Sequence, residues 1–294
     1  MNHKITTHLW FDRQAKDAAK FYAEVFDHCT IKSMQTLSST PSGDVDIISL
    51  DVEDQPFVFI SAGPDFTMNP SISFLIACAT SEEVDKIYNK IREGSTPLMD
   101  MGEYAFSKRY TWLIDKFGVS WQIMNMGERP INQKITPTLM FVGDVCGRAE
   151  EAVNFYTSLF PDSKIHHVMR YESNEAPDKE GTIKHTGFIL NKQWFGAMDS
   201  AHNHQFKFNE AISFIVNCDT QEEIDYYWEK LSAVPEAEQC GWLKDKFGVS
   251  WQIVPSKMQE YLSKGTPEQI SKTTQAFLKM KKLIIADLEA IANS

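Results

Sequence analysis

The residues able to hold a metal or move a proton are few and scattered. The segment DSAHNH brings Asp199, His202 and His204 within six positions. On a strand, His202 and His204 would point their rings to one side and could grip an ion together. The polar residues around them predict a surface loop instead. His166 and His167 are adjacent, so their rings diverge on a strand and no joint role is assigned. Cys29, Cys78, Cys146, Cys218 and Cys240 form an odd set without C-x-x-C spacing, which argues against a disulfide framework or a zinc knuckle. Cys78 and Cys218 lie in apolar runs, where a thiol acts as a small hydrophobe. No P-loop, G-x-S-x-G elbow or H-E-x-x-H occurs, and no glycine-rich turn of the kind that holds S-adenosylmethionine. Aromatic chemistry is left. Trp10, Trp112, Trp121, Trp194, Trp242 and Trp251 all fall on strand-like runs. Some must be core, and others suit the wall of a cavity for a flat ligand. Arg170 and Tyr171 are candidates for a polar contact at its rim.

The elements that position these residues are written twice. DKFGVSWQI stands at 115–123 and again at 245–253; ISFLIACATSEEVD at 72–85 returns as ISFIVNCDTQEEID at 212–225. AAKFYAEVF returns as EAVNFYTSLF, and ITTHL as ITPTL, in the same order. Two long copies indicate duplicated domains rather than a solenoid. The boundary falls in MGERPINQ, giving one domain over 1–128, a second over 133–255 and a helical extension over 256–294. Each copy reads as two units of one strand, one helix and three strands. Ala18, Phe21, Tyr22 and Val25 share one helix face, as do Ala152, Phe155, Tyr156 and Leu159. Thr80 with Glu83, and Thr220 with Glu223, predict capping boxes. The second copy is about ten residues shorter before its last turn. In the extension, Thr266-Pro267 opens a helix whose apolar stripe covers a domain or dimer face.

Composition narrows the partners. Of 294 residues, 43% are hydrophobic, and no apolar run reaches a membrane span. The net charge of −11 is spread over both copies: 12 basic and 18 acidic residues up to 130, then 11 and 18 up to 255. Such lobes repel phosphate backbones and anionic lipid, so neither nucleic acid nor membrane is expected as a partner. The cysteine pattern and the absence of a leader at the start predict a cytoplasmic protein, monomer or homodimer.

Tandem strand-helix-strand-strand-strand units resemble the vicinal oxygen chelate superfamily, which includes glyoxalase I, extradiol dioxygenases and bleomycin-resistance proteins. Within it the chain is similar to the PhnB-like, 3-demethylubiquinone 3-methyltransferase-like group. The residues that carry this are ITTHLWFD with its Phe21-Tyr22 helix, ITPTLMF with AEEAVNFYTSLFPDSKI, both DKFGVSWQI segments, and the ending FLKMKKLIIADLEAI. The resemblance implies an α+β fold of tandem glyoxalase/bleomycin-resistance-like domains, in which paired modules form curved, incompletely closed barrels with helices outside. It also implies a cup that in metal-dependent members holds a divalent ion.

That site is thin here. His8 stands at the spacing before Phe21 at which glyoxalase-like enzymes carry a ligating His, but Thr138 replaces it in the second copy. Gln122 and Gln252 stand where the superfamily has a ligating Glu, and an amide is a poorer ligand than a carboxylate. Ser71 and Ala211 open the inner strands; Ser61 and Asp199 end the fourth. The first copy is thus read as keeping His8 with Gln122, the second Asp199 with Gln252. The expectation is a metal-free cup and no cofactor, with His8, Gln122 and Asp199 as the ligands if a metal binds. His8, Gln122, Asp199, Gln252, Arg170 and Trp194 are the candidate contacts to a small-molecule ligand. The alternatives are an altered lyase, isomerase or oxygenase, or a resistance-type protein that sequesters cationic drugs.

Overall fold

The computed structural model describes residues 3–40 and 42–292. Four modules follow one another. The first is β1 (Ile5–Phe11), α1 (Ala15–Val25), β2 (Cys29–Thr40), β3 (Gly43–Val52) and β4 (Gln55–Ser61). The second is β5 (Ile72–Cys78), α2 (Ser81–Ile91), β6 (Thr96–Tyr104), β7 (Ser107–Ile114) and β8 (Ser120–Asn125). The third is β9 (Ile135–Phe141), α3 (Ala149–Leu159), β10 (Lys164–Arg170), β11 (Ile183–Leu190) and β12 (Gln193–Asp199). The fourth is β13 (Ile212–Cys218), α4 (Gln221–Leu231), β14 (Trp242–Lys244) and β15 (Ser250–Pro255). The extension carries α5 (Met258–Tyr261), α6 (Pro267–Phe277) and α7 (Ile285–Ala292). The shorter second copy therefore has no counterpart of β6, and its last module holds two strands after the helix rather than three. No helix among the described residues is long and apolar enough to cross a membrane.

The modules do not pair within their own copy. The first sheet runs β14-β15-β13-β1-β4-β3-β2 and the second β10-β11-β12-β9-β5-β8-β7-β6. Each sheet joins a module from one repeat to a module from the other, through β1 against β13 and β5 against β9, both antiparallel. His8 therefore shares a sheet with Gln252, and Asp199 with Gln122, the reverse of the pairing read from the repeats. Neither sheet closes on itself.

One face of each sheet is apolar. Leu9, Phe11, Phe57, Phe59, Phe214, Val216, Trp251 and Ile253 of the first join Phe74, Trp121, Leu139, Phe195 and the inner faces of α1–α4 in one core. The alternate residues point to the opposite face, away from α1–α4. On the first sheet this face is concave. Gln259 lies four residues past the end of β15, yet its Nε2 donates to Ser33 Oγ on β2 at 2.7 Å. A turn and a helix start cover less than ~10 Å in that distance. On a flat sheet β2 would stand five strand intervals away, roughly 24 Å. The sheet must curl until its two edges approach.

The repeated motifs tie the two sheets together. Asp115 Oδ2 accepts from Tyr22 OH at 2.6 Å and from Trp121 Nε1 at 2.8 Å. Its Oδ1 accepts from the amides of Phe117 and Val119. Asp245 repeats every contact with Tyr156, Trp251, Phe247 and Val249. Gly118 and Gly248, at φ +90° and +88°, make the turn that brings each carboxylate back to these amides. Tyr22 rides on the first sheet and Asp115 on the second; Tyr156 and Asp245 are placed the other way round. DKFGVSWQI and the Phe-Tyr helix are thus a structural clamp.

Candidate functional site

A single cross-strand row crosses the concave face of the whole first sheet. It consists of Ser33, Ser49, Val58, His8, Ser213, Ser250 and Lys244, each the register partner of the next. His8 stands at its centre and is only 3% exposed. Its Nδ1 has no hydrogen-bond partner among the described residues, and neither has the Oγ of Ser250. A buried polar atom left unpaired costs about 1–3 kcal/mol, so two in one row need a reason. Burial pushes the His8 imidazolium down to about 3, so the ring is neutral at pH 7.

Around His8 lie aromatic and neutral groups. The Trp242 indole meets its ring edge-on, with centroids 5.2 Å apart. Trp10 lies 6.2 Å from Trp242, packs on Phe66 and donates from Nε1 to Gly63 O at 2.7 Å. Gln252, on the row beside, donates from Nε2 to Ser213 Oγ at 3.0 Å. The charged residues on this face are engaged: Lys244 with Glu210, and Lys32 with Asp51.

The second sheet shows what the same row looks like when satisfied. Thr138 replaces His8, and Trp112 donates from Nε1 to Ser120 Oγ at 2.8 Å. Tyr110 OH donates to Gln122 Oε1, and Gln122 Nε2 to Ser73 Oγ. At the edge, the ring of His167 lies over Gly187, where a Cβ would approach its Cε1 to 2.5 Å. His167 Nε2 and His185 Nδ1 share a 3.0 Å hydrogen bond. Gly187→Ala is expected to push the exposed His167 ring aside and break its hydrogen bond to His185, at a cost of about 0.5–1 kcal/mol in urea unfolding. An unchanged midpoint would show that the ring makes no use of the glycine. In the first sheet His8 draws Trp242 against itself, and Ser250 is the hydroxyl left over.

The other sequence candidates are placed elsewhere. Asp199 is 1% exposed and filled: Oδ1 accepts from the amides of Gly147 and Ala149, and Oδ2 from Ile183. It serves the N-terminus of α3, as Ser61 Oγ serves Ala15 at the start of α1. Arg170 forms an exposed fork on Glu150 rather than facing a cup. Trp194 belongs to the second sheet, its ring 4.7 Å from that of His166. His202 and His204 lie in a loop, with His204 Nε2 2.9 Å from Ser200 Oγ. Sequence reasoning missed Ser213, Ser250 and Trp242 as neighbours of His8, although each has a counterpart in the first copy at Ser73, Ser120 and Trp112.

The divalent ion implied by the resemblance does not fit these donors. The first-sheet row offers one imidazole among neutral hydroxyls and an amide, and Asp199 is already spent on backbone amides. Among the described residues no three His, Cys, Asp or Glu side chains converge to hold a metal.

Comparison with known proteins agrees with the duplication. The sequence model of the 3-demethylubiquinone-9 3-methyltransferase family matches twice, over residues 3–124 and 133–254. The comparison with curated proteins finds no match. Among solved structures, the PhnB protein of Bacillus cereus is 34% identical, over 42% of this chain and 99% of that one, with a TM-score of 0.39. Glyoxalase I from Zea mays is 10% identical, over 86% of this chain and 94% of that one, with a TM-score of 0.52. A glyoxalase/bleomycin resistance protein/dioxygenase domain from Frankia sp. EAN1pec is 9% identical, over 42% and 98%, with a TM-score of 0.31. The maize likeness shows the fold, and the tandem family match goes further: the chain belongs to the PhnB-like 3-demethylubiquinone-9 3-methyltransferase family, with two family units in one polypeptide.

Proposed function

We propose that the chain binds a small, uncharged, flat molecule in the half-barrel of the first sheet, without a resident metal ion. The observation that carries this is the pair of unpartnered buried atoms, His8 Nδ1 and Ser250 Oγ, in one row beside the indoles of Trp10 and Trp242. A ligand with a hydrogen-bonding group at each end satisfies both, and its ring lies against the indoles. A charged ligand finds no free counter-ion among the described residues there, because Lys244, Lys32 and Asp51 are paired. This argues against cationic-drug sequestration, despite the acidic surface. An imidazole whose conjugate acid titrates near 3 is also a weak general base, which favours binding over proton transfer. The methyl transfer in the family's name gains no support from two mixed sheets without a parallel α/β nucleotide fold.

A thermal-shift screen of uncharged phenols, carbonyl compounds and heteroaromatics tests the reading. Hits are expected to be insensitive to salt and lost in His8→Thr, which installs the residue of the satisfied row. Stabilisation by cationic compounds alone, or hits retained in His8→Thr, would refute it.

A further inference from the structure

The half-barrel that holds His8 is spanned by the chain's own ending. We propose that residues 256–277 are a lid over this half-barrel, fixed at both ends and released in the middle to admit and discharge the ligand. The proposal rests on the binding reading above and adds how that site is reached.

The first sheet lacks a counterpart of β6, so β14 is an edge, and the extension takes the missing strand's place. Cys240 and Gly241, just before β14, donate their amides to Met280 O and Lys281 O at 2.7 and 2.8 Å. Gln239 Nε2 donates to Leu278 O, Lys282 pairs with Asp225, and Leu283 is fully buried against Gly241. Gln221 clasps the same stretch, donating to Leu283 O and accepting from Ile285 N. This end is an anchor. The other end is held where Ser256 donates to Cys218 O at the close of β15.

Between the anchors, the segment crosses to the opposite edge of the sheet. Gln259 bonds Ser33, the residue that begins the His8 row, so the crossing lies at the level of His8. α6 packs on β2 and buries Thr273 and Thr274, yet their hydroxyls donate back into their own helix, to Gln269 O and Ile270 O. Lys264 pairs with Glu260 and Lys272 with Glu268, again inside the segment. Gly265, at φ +124°, makes the corner between α5 and α6. The segment is thus satisfied within itself and against α7, where Tyr261 OH donates to Glu289 Oε1 at 3.0 Å and Lys257 pairs with the same carboxylate, and its bond to Ser33 is solvent-exposed. A unit of this kind opens locally at far lower cost than the core it covers. On the second sheet nothing comparable among the described residues lies over β10, all of whose residues are exposed.

Diethyl pyrocarbonate, which acylates neutral imidazoles, reads the opening directly in the full chain. Peptide mass spectrometry follows His8, with exposed His28 and His202 as internal references. His8 is expected to react slowly but to completion. Gln259→Ala and Ser33→Ala, which remove the same bond from its two sides, are each expected to raise its rate about 2–10-fold while His28 and His202 are unchanged. His8 reacting as fast as His28, equal His8 rates in all three chains, or no His8 reaction in any of them would each overturn the lid. The two readings fail separately. Faster His8 acylation with no hit in the thermal-shift screen sinks the binding reading, and hits with unaltered acylation sink the lid.

Discussion

Asp115→Ala is expected to destabilise the protein by about 3–5 kcal/mol, several times what the loss of an exposed ion pair costs. The carboxylate takes four hydrogen bonds, two from side chains and two from the backbone, and is 4% exposed. Alanine strands the Tyr22 hydroxyl, the Trp121 indole N–H and two amides in a buried region. Asp115→Asn keeps one oxygen for the amides but turns a donor toward Tyr22 and Trp121, so an intermediate loss is expected. Asp245→Ala should cost as much, because its contacts are duplicates and its exposure is 1%. Urea unfolding at pH 7 measures both. If either alanine variant unfolds within 1 kcal/mol of the parent, the clamp is ornamental and the repeated motif needs another explanation.

The second large effect is acid sensitivity seated at His8. The ring titrates near 6.5 when unfolded and about 3 when folded, with burial as the cause. Below pH 6.5 the unfolded chain therefore binds a proton that the folded chain refuses. Stability falls as pH falls, by about 1.4 kcal/mol per pH unit, until the folded value is reached. Between pH 7 and pH 5 the loss from this residue is about 2 kcal/mol. His185, lowered to about 4 by burial and by His167, acts in the same direction, so total acid sensitivity is not specific to His8. The diagnostic quantity is the difference between chains. His8→Thr should lose about 2 kcal/mol less than the parent on going from pH 7 to pH 5. Parallel losses in the two chains would mean that His8 is protonated in the fold and already has a partner.

Much of this protein can be read along the chain. The duplication, the module order, the helix faces of Phe21-Tyr22 and Phe155-Tyr156, and the N-caps at Thr80 and Thr220 are local patterns, although Glu83 and Glu223 reach back to the amides of Ala79 and Asp219 rather than closing a capping box. Local periodicity and local hydrogen bonding also determine which face of a strand is buried, so Trp251 turns to the core and Gln252 away from it. The clamp was visible as a repeated string, though not as a clamp, because Tyr22 and Asp115 lie 93 positions apart.

What the sequence left open is which module meets which. β1 needs an antiparallel partner, and the chain offers two nearly identical ones, ISFLIAC in β5 and ISFIVNC in β13. Periodicity and propensity cannot choose between them, since both present the same apolar face and the same hydrogen-bonding edge. The tertiary structure takes β13, and with that choice His8 joins Ser213, Ser250, Gln252 and Trp242 instead of Gln122. Asp199 likewise looked like a ligand because nothing local shows that three amides from two other elements already fill it. The residue types were set by sequence, whereas their company was set by strand pairing, a non-local choice between equivalent edges.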